Sequence, residues 1–268
     1  MRVALFVEGS QSPPSPRQAD ALNRIWGQHL VSLAGCGGFT EIFRISKQNI
    51  EQLDPECPRV SGNAEALDEV IARHVRDPGG FDAAVVAWDV LPPLKPEPLL
   101  TPPGCRWLET MWIMARLAAS KSLPPAWRDV AAQRVQDYES RATPAARQSP
   151  RPLLVHEVRL LCMEPEFEGL LLFEKELRSV FGVKGKGTKG WPKDWKPTPQ
   201  RKGKHILHAA IEAARTVKGS KPLPVHGTIL NAAPNEWGEW LLRKLLDRDD
   251  SRAKLANHPI VRRMAEVV

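Results

Sequence analysis

Cysteine is scarce in this chain of 268 residues, and its spacing excludes two common classes of protein. The four cysteines, at positions 36, 57, 105 and 162, lie far apart and form no C-x-x-C pair. A zinc ribbon needs such pairs, and a small disulfide-stapled domain needs a denser framework. The spacing indicates reduced thiols, and the sequence therefore predicts a cytoplasmic protein.

Long hydrophobic runs are also absent. The apolar run at the N-terminus spans only Val3 to Val7, follows a single basic residue and ends at Glu8. It is too short and too early for a secretory leader or a membrane span. The sequence also lacks a Walker phosphate loop, a G-x-S-x-G elbow and the dinucleotide-binding glycine fingerprint. We therefore expect no membrane partner, and we assign any ATP hydrolysis to a partner protein.

The N-terminal third has the pattern of an α/β fold. Predicted strands at 3–7, 39–45 and 83–88 alternate with predicted helices at 17–34 and 64–75. The first and third strands are continuous apolar runs, which are typical of strands covered on both faces in a parallel sheet. The sequence therefore predicts a Rossmann-like, mostly parallel sheet flanked by helices.

Acidic residues follow two of the predicted strands. Glu8 ends the first strand, and Asp89 ends the third. In a parallel sheet both residues emerge at the carboxyl edge, where doubly wound sheets bind ligands. Two neighbouring carboxylates repel unless a proton or a cation lies between them, and Mg²⁺ is the commonest such cation. The alternative is structural: Glu8 caps the following helix, and Asp89 caps a turn before the proline-rich stretch.

A third acidic group lies in the segment MEPEFEG. Glu164, Glu166 and Glu168 follow a predicted strand at 153–163 and begin a predicted helix at 166–181. Acidic residues in the first turn of a helix are favoured by the helix dipole, which is a sufficient structural explanation. Because residues two apart point to different sides of a helix, at most one of Glu166 and Glu168 is expected to face a metal.

Three motifs in order, LFVEGS, AWDVLPP and PEFEGLLLF, resemble the Toprim-like proteins of bacterial defence and mobile-element loci. The resemblance covers residues 1–181. It implies a Toprim fold, which is the catalytic domain of topoisomerases, primases and related nucleases. It further implies that Glu8 is the general acid or base and that Asp89 holds Mg²⁺ or Mn²⁺.

The sequence departs from the Toprim pattern at one position. The usual Asp-x-Asp reads Asp89-Val90-Leu91, so the second carboxylate is missing. Two interpretations remain open. Either Glu166 or Glu168 supplies the absent metal ligand, or the fold has kept its shape and lost its metal.

The positive charge of the chain is concentrated in one segment. The formal net charge is +7, and residues 183–204 contain eight basic residues against Asp194. Trp191 and Trp195 interleave with glycines and lysines there, which favours a flexible arm that contacts phosphates and stacks on bases. The alternative is a solvated loop that maintains solubility. The basic residues are Lys184, Lys186, Lys189, Lys193, Lys196, Arg201, Lys202 and Lys204.

The sequence therefore predicts three parts. A Toprim-like α/β domain at 1–181 carries a helical insertion at 105–145, and a basic loop at 182–204 precedes a helical C-terminal extension at 205–268. The predicted function is a metal-dependent nuclease or nucleic-acid-processing subunit of a prokaryotic antiviral defence system, with a partner ATPase. The alternative is a catalytically inactive scaffold that binds nucleic acid or a partner protein.

Overall fold

The computed structural model describes residues 1–9, 16–54, 64–76, 79–89, 104–140, 151–163, 166–184, 188–198, 201–217, 223 and 234–267. The strands in this part of the chain are β1 (Val3–Glu8), β2 (Glu41–Ile45), β3 (Ala83–Asp89) and β4 (Val158–Met163). The helices are α1 (Pro16–Arg24), α2 (Val31–Ala34), α3 (Lys47–Glu51), α4 (Leu67–Val75), α5 (Gly104–Ala118), α6 (Pro125–Glu139), α7 (Glu174–Phe181), α8 (Gly203–Thr216), α9 (Pro234–Leu246), α10 (Asp249–Ala256) and α11 (Pro259–Val267). A π-helical turn at Ile25–Leu30 joins α1 to α2, and a 3₁₀ turn occupies Phe167–Leu171. None of these helices is long and apolar enough to cross a membrane.

The strands form one parallel sheet in the order β2-β1-β3-β4. The two central strands are buried along almost their whole length, and only their last residues, Glu8 and Asp89, are half-buried. This burial explains why their sequences are continuous apolar runs rather than alternating ones. The prediction of an α/β fold with a parallel sheet flanked by helices is confirmed.

The strand order places a topological switch point between β1 and β3. The chain moves from β1 to β2 on one side and then returns to form β3 on the other side of β1. In open parallel sheets, ligands bind outside the carboxyl ends of the strands at the point where the order reverses. Glu8 and Asp89 are the last residues of the two strands that flank this point.

The chain divides into two compact units that do not follow the order of the sequence. The first unit comprises Met1–Pro13, Gly37–Cys162 and Glu266–Val268, and the second comprises Pro14–Cys36 and Met163–Ala265. In the first unit, one hydrophobic core joins the sheet to α3, α4, α5 and α6. Its fully buried members include Phe6, Ile50, Ile71, Val86, Trp88 and Ile113.

The second unit is helical and rich in aromatic side chains. The Trp26 ring lies 6.0 Å from the Phe167 ring, and the Trp237 ring lies 5.7 Å from the Trp240 ring, between ring centroids. Trp26, Trp237 and Trp240 are buried. These tryptophans therefore serve in packing.

Two sequence-based boundaries are wrong for physical reasons. The predicted strand at 153–163 begins only at Val158, because a turn precedes it, in which the Glu157 N–H bonds the Leu154 carbonyl at 3.3 Å and His156 has a φ of 65°. The predicted helix at 166–181 is a 3₁₀ turn followed by α7, since the Gly169 N–H bonds the Glu166 carbonyl three residues back.

Candidate functional site

The structure brings Glu8 and Asp89 together at the carboxyl edge of the sheet. The Asp89 N–H donates a hydrogen bond of 2.9 Å to Glu8 Oε2, although 81 positions separate the two residues. Both side chains are half-buried, so the pair lies at the boundary between the core and the solvent. This is the juxtaposition that the sequence predicted for these two acids.

Lys47 belongs to the same edge and was missed by the sequence reasoning. Its ammonium group donates a hydrogen bond of 2.8 Å to the Asp89 carbonyl oxygen. Lys47 begins α3, whose N-cap is Ser46, and Ser46 N–H donates to Asn49 Oδ1 at 2.7 Å. The S-x-x-N pattern of Ser46 and Asn49 is the sequence signal for the start of α3, but it has Asn where the usual capping box has Glu or Gln.

Gly9 follows Glu8 at a place where a larger residue does not fit. Its N–H donates to the Ile45 carbonyl at 2.8 Å, which continues the pairing of β1 with β2. A Cβ atom at Gly9 would lie 2.5 Å from Arg44 Nε. Burial lowers the pKa of Arg44, but a guanidinium still carries its charge near neutral pH. The glycine of the V-E-G motif therefore makes room for the charged Arg44 side chain.

The second unit holds Glu166 and Glu168 at the start of its 3₁₀ turn. Glu166 is 2% exposed, and its Oε1 accepts a hydrogen bond from the N–H of Gly203, the first residue of α8. A Cβ atom at Gly203 would lie 2.8 Å from that oxygen and 3.0 Å from Glu168 Cβ. The dipole of α8 thus stabilises this carboxylate. The structural explanation for the acids of MEPEFEG also invoked a helix dipole, but that of the helix that Glu166 itself precedes.

The carboxyl group of Glu168 has a raised pKa. Desolvation is the main cause that raises its pKa to about 7, and the negative charge of Glu166 raises it further. The positive charges of Lys204 and Lys202 act in the opposite direction. Near neutral pH this carboxyl is consequently protonated in part of the molecules, which weakens it as a metal ligand.

Two carboxylates of the first unit are the candidate ligands for the predicted metal. Among the residues that the structure describes, no three His, Cys, Asp or Glu side chains come together as metal ligands. Mg²⁺ commonly takes one or two carboxylates and completes its octahedron with water and substrate phosphate, so Glu8 and Asp89 are chemically suitable. Assignment of Glu166 or Glu168 to the same ion remains a prediction. Leu91 and Glu164 lie outside the described residues.

The basic segment is exposed in part and anchored in part. Four of its lysines are exposed, and Arg201, Lys202 and Lys204 are half-buried. The exposed members are Lys184, Lys189, Lys193 and Lys196. Lys186 lies outside the described residues. Lysines in these positions present positive charge to the solvent, as phosphate binding requires.

Trp191 corrects one part of that prediction. It is 6% exposed, its ring contacts Phe181, and the Arg178 guanidinium lies 4.6 Å from its ring centroid. The indole is therefore part of the core of the second unit, and the expectation that Trp191 stacks on nucleic-acid bases is wrong. Trp195 is half-buried, and its indole N–H donates to the Pro192 carbonyl at 3.1 Å.

Comparisons with protein-family models, curated proteins and solved structures find no match to this chain. The function is therefore argued from the geometry of the site and from the chemistry of its residues.

Proposed function

We propose that this chain is a metal-dependent nucleic-acid-processing subunit of the Toprim type that hydrolyses phosphodiester bonds at the carboxyl ends of β1 and β3. The observation that supports this is the 2.9 Å hydrogen bond from the Asp89 N–H to Glu8 Oε2. It fixes two acidic residues beside each other at the switch point of a parallel sheet, where ligands bind in such folds.

Glu8 and Asp89 would hold Mg²⁺ or Mn²⁺. When bound, such a cation stabilises the negative charge that develops on a phosphodiester and lowers the pKa of a bound water. Glu8 has a defined orientation because one of its oxygens is bonded to the Asp89 amide. Its role is either to accept a proton from the attacking water or to bind the cation.

The nucleic acid is attracted by the exposed lysines of the basic segment, which lies in the second unit. Lysine side chains that contact phosphates give affinity without sequence preference. The proposal includes a cytoplasmic location, a partner ATPase and a role in prokaryotic antiviral defence. These three parts rest on the sequence and on the Toprim-like resemblance alone.

The test is a cleavage assay with purified full-length chain. Plasmid DNA, single-stranded DNA and RNA are each incubated with Mg²⁺, Mn²⁺ or EDTA, and the variants Glu8→Gln and Asp89→Asn are compared with wild type. We expect metal-dependent cleavage that falls by at least about 100-fold in each variant, because each removes a carboxylate from the reacting centre.

Two matched controls separate the site from general effects of charge. Glu41→Gln removes an exposed carboxylate at the opposite end of the sheet, and Asp129→Asn removes one from the exposed face of α6. Both should cleave like wild type. Cleavage that survives in Glu8→Gln and Asp89→Asn would show that the activity belongs to another site or to a contaminant.

A second candidate function is a catalytically inactive scaffold that binds nucleic acid or a partner protein. Two observations favour it. The described residues contain no group of three metal ligands, and the Glu166 carboxylate accepts a hydrogen bond from the N-terminus of α8. This function predicts nucleic-acid binding that EDTA does not change, with no cleavage by wild type under any metal. The same assay, run beside a filter-binding measurement, distinguishes the two.

A further inference from the structure

We infer that Lys47 is a positioning residue of the proposed site, acting through the backbone of Asp89. The inference rests on the proposed function, since it assigns Lys47 a part in holding the acid pair that would bind the cation. Its direct basis is the 2.8 Å hydrogen bond from the Lys47 ammonium to the Asp89 carbonyl.

Lys47 contacts Asp89 from the opposite side of β1 in the strand order. Lys47 follows β2, whereas Asp89 ends β3, and β1 lies between these two strands in the sheet. Adjacent strands are separated by about 4.8 Å. The contact between Lys47 and Asp89 therefore joins the segments that follow strands on the two sides of β1, the strand that ends at Glu8.

Asp89 is thereby held through both of its backbone polar groups. Its N–H donates to the carboxylate of Glu8, and its carbonyl accepts from the ammonium of Lys47. Both bonds involve a charged partner, and such bonds are shorter and stronger than neutral ones. The backbone of the last residue of β3, from which the Asp89 carboxylate projects, is therefore restrained beside the Glu8 carboxylate.

The charge of Lys47 and its positioning contact predict opposite effects on cation binding. An ammonium two hydrogen bonds away from Glu8 repels an incoming Mn²⁺, so removal of the charge alone would tighten binding. Loss of a residue that orients metal ligands weakens binding instead, typically by about 10- to 100-fold. The sign of the change in affinity therefore shows which role is dominant.

The experiment measures Mn²⁺ affinity by calorimetry in wild type, Lys47→Met and Lys47→Arg, with Lys121→Met as the matched control at an exposed lysine. We expect Mn²⁺ binding about 10-fold or more weaker in Lys47→Met, recovery in Lys47→Arg, and no change in Lys121→Met. In the cleavage assay, Lys47→Met should lower kcat with little change in KM. Equal or tighter Mn²⁺ binding in Lys47→Met would overturn the inference.

A spectroscopic signal separates this inference from the proposed function. In protein labelled with ¹⁵N-aspartate, the Asp89 amide is the signal that Asp89→Asn removes, and its proton shift reports the bond to Glu8. Lys47→Met should move this signal, whereas Lys47→Arg should restore it. If wild type binds no Mn²⁺ and cleaves no nucleic acid, the proposed function fails. If, in addition, the Asp89 amide signal does not move in Lys47→Met, the positioning role of Lys47 is overturned as well.

Discussion

Glu157 is the residue whose replacement the structure predicts to be most costly to the first unit. It is 1% exposed and lies immediately before β4. Its carboxylate accepts hydrogen bonds from Arg134 Nε and Nη2 at 3.0 and 2.7 Å and from Arg159 Nε and Nη2 at 2.6 and 3.1 Å. It also accepts from the Leu154 N–H at 2.8 Å. The change to test is Glu157→Gln.

The expected decrease in stability follows from what the change leaves behind. Arg134 and Arg159 are themselves buried, so glutamine would remove the countercharge that two buried guanidinium groups share. Breaking a buried ion pair by removing one partner costs about 3–5 kcal/mol. Glutamine keeps one oxygen acceptor, so we expect a cost of about 3 kcal/mol, at the lower end of that range. For a unit of this size each kcal/mol lowers the melting temperature by about 2–4 °C, which predicts a decrease of roughly 6–12 °C.

The effect should also depend on pH. Desolvation by burial raises the pKa of Glu157, but hydrogen bonds from Arg159 and Arg134 outweigh it and hold the pKa below the ordinary value of 4.5. A group with a lowered pKa stabilises the folded state above its ordinary pKa, and this stabilisation is lost as the pH falls through the lowered value. The difference between wild type and Glu157→Gln should therefore be full near pH 7 and decrease below about pH 4.5.

The assay is thermal unfolding by circular dichroism from about pH 7 to about pH 3, a range that spans the titration of the carboxylate. Glu139→Gln, at the exposed end of α6, is the matched control and should change stability by no more than about 0.5 kcal/mol. A Glu157→Gln protein as stable as this control would refute the argument that the carboxylate neutralises two buried cations. A difference that stayed constant down to the lowest pH would refute the assigned pKa direction.

Two further predictions concern the site and the basic segment. Gly9→Ala should destabilise the first unit by about 1–3 kcal/mol, because the new Cβ displaces the Arg44 side chain; Gly38→Ala, where a Cβ meets no atom within 4 Å, is the control in thermal unfolding. Replacing three exposed lysines together by alanine should reduce the slope of log nucleic-acid affinity against log salt concentration. The reduction should be up to about one for each phosphate that the protein no longer neutralises. A slope equal to that of the control Lys121→Ala would contradict phosphate binding. The three residues are Lys184, Lys189 and Lys193.

The parts of the fold that the sequence predicted are those with a local signal. Continuous apolar runs revealed β1 and β3, because both strands are buried on both faces. The start of β4 was not predictable, since it follows a turn in which His156, which is not a glycine, adopts a positive φ of 65°. The grouping of α1 with the C-terminal helices in one unit has no local signature either.

The same distinction applies to the site. Strand ends followed by acids located Glu8 and Asp89, because parallel strands bring their carboxyl ends to one edge. Lys47 was hidden because its partner is a backbone carbonyl, which every residue possesses. The hydrogen bond between Glu166 and Gly203 joins residues 37 apart, and no periodicity indicates it. Interactions set by tertiary packing of backbone groups leave no pattern in the side-chain sequence.

The acidic residues of the three motifs differ in the hydrogen-bond partners that a cation would have to displace from their carboxylates. Glu166 is almost fully buried on the N–H of α8, so a metal that took its oxygen would leave a buried donor without a partner, which costs about 1–3 kcal/mol. Glu8 Oε2 also accepts a backbone N–H, that of Asp89, but both residues are half-buried at the end of the sheet, where water can replace a displaced partner. The hydrogen bonds from Asp89 to Glu8 and to Lys47 use its backbone rather than its carboxylate. A cation that completes its coordination with water and phosphate makes the smaller demand on this pair. The physical cost of displacement thus favours Glu8 and Asp89 as the ligands, even though PEFEG is the motif with more acids.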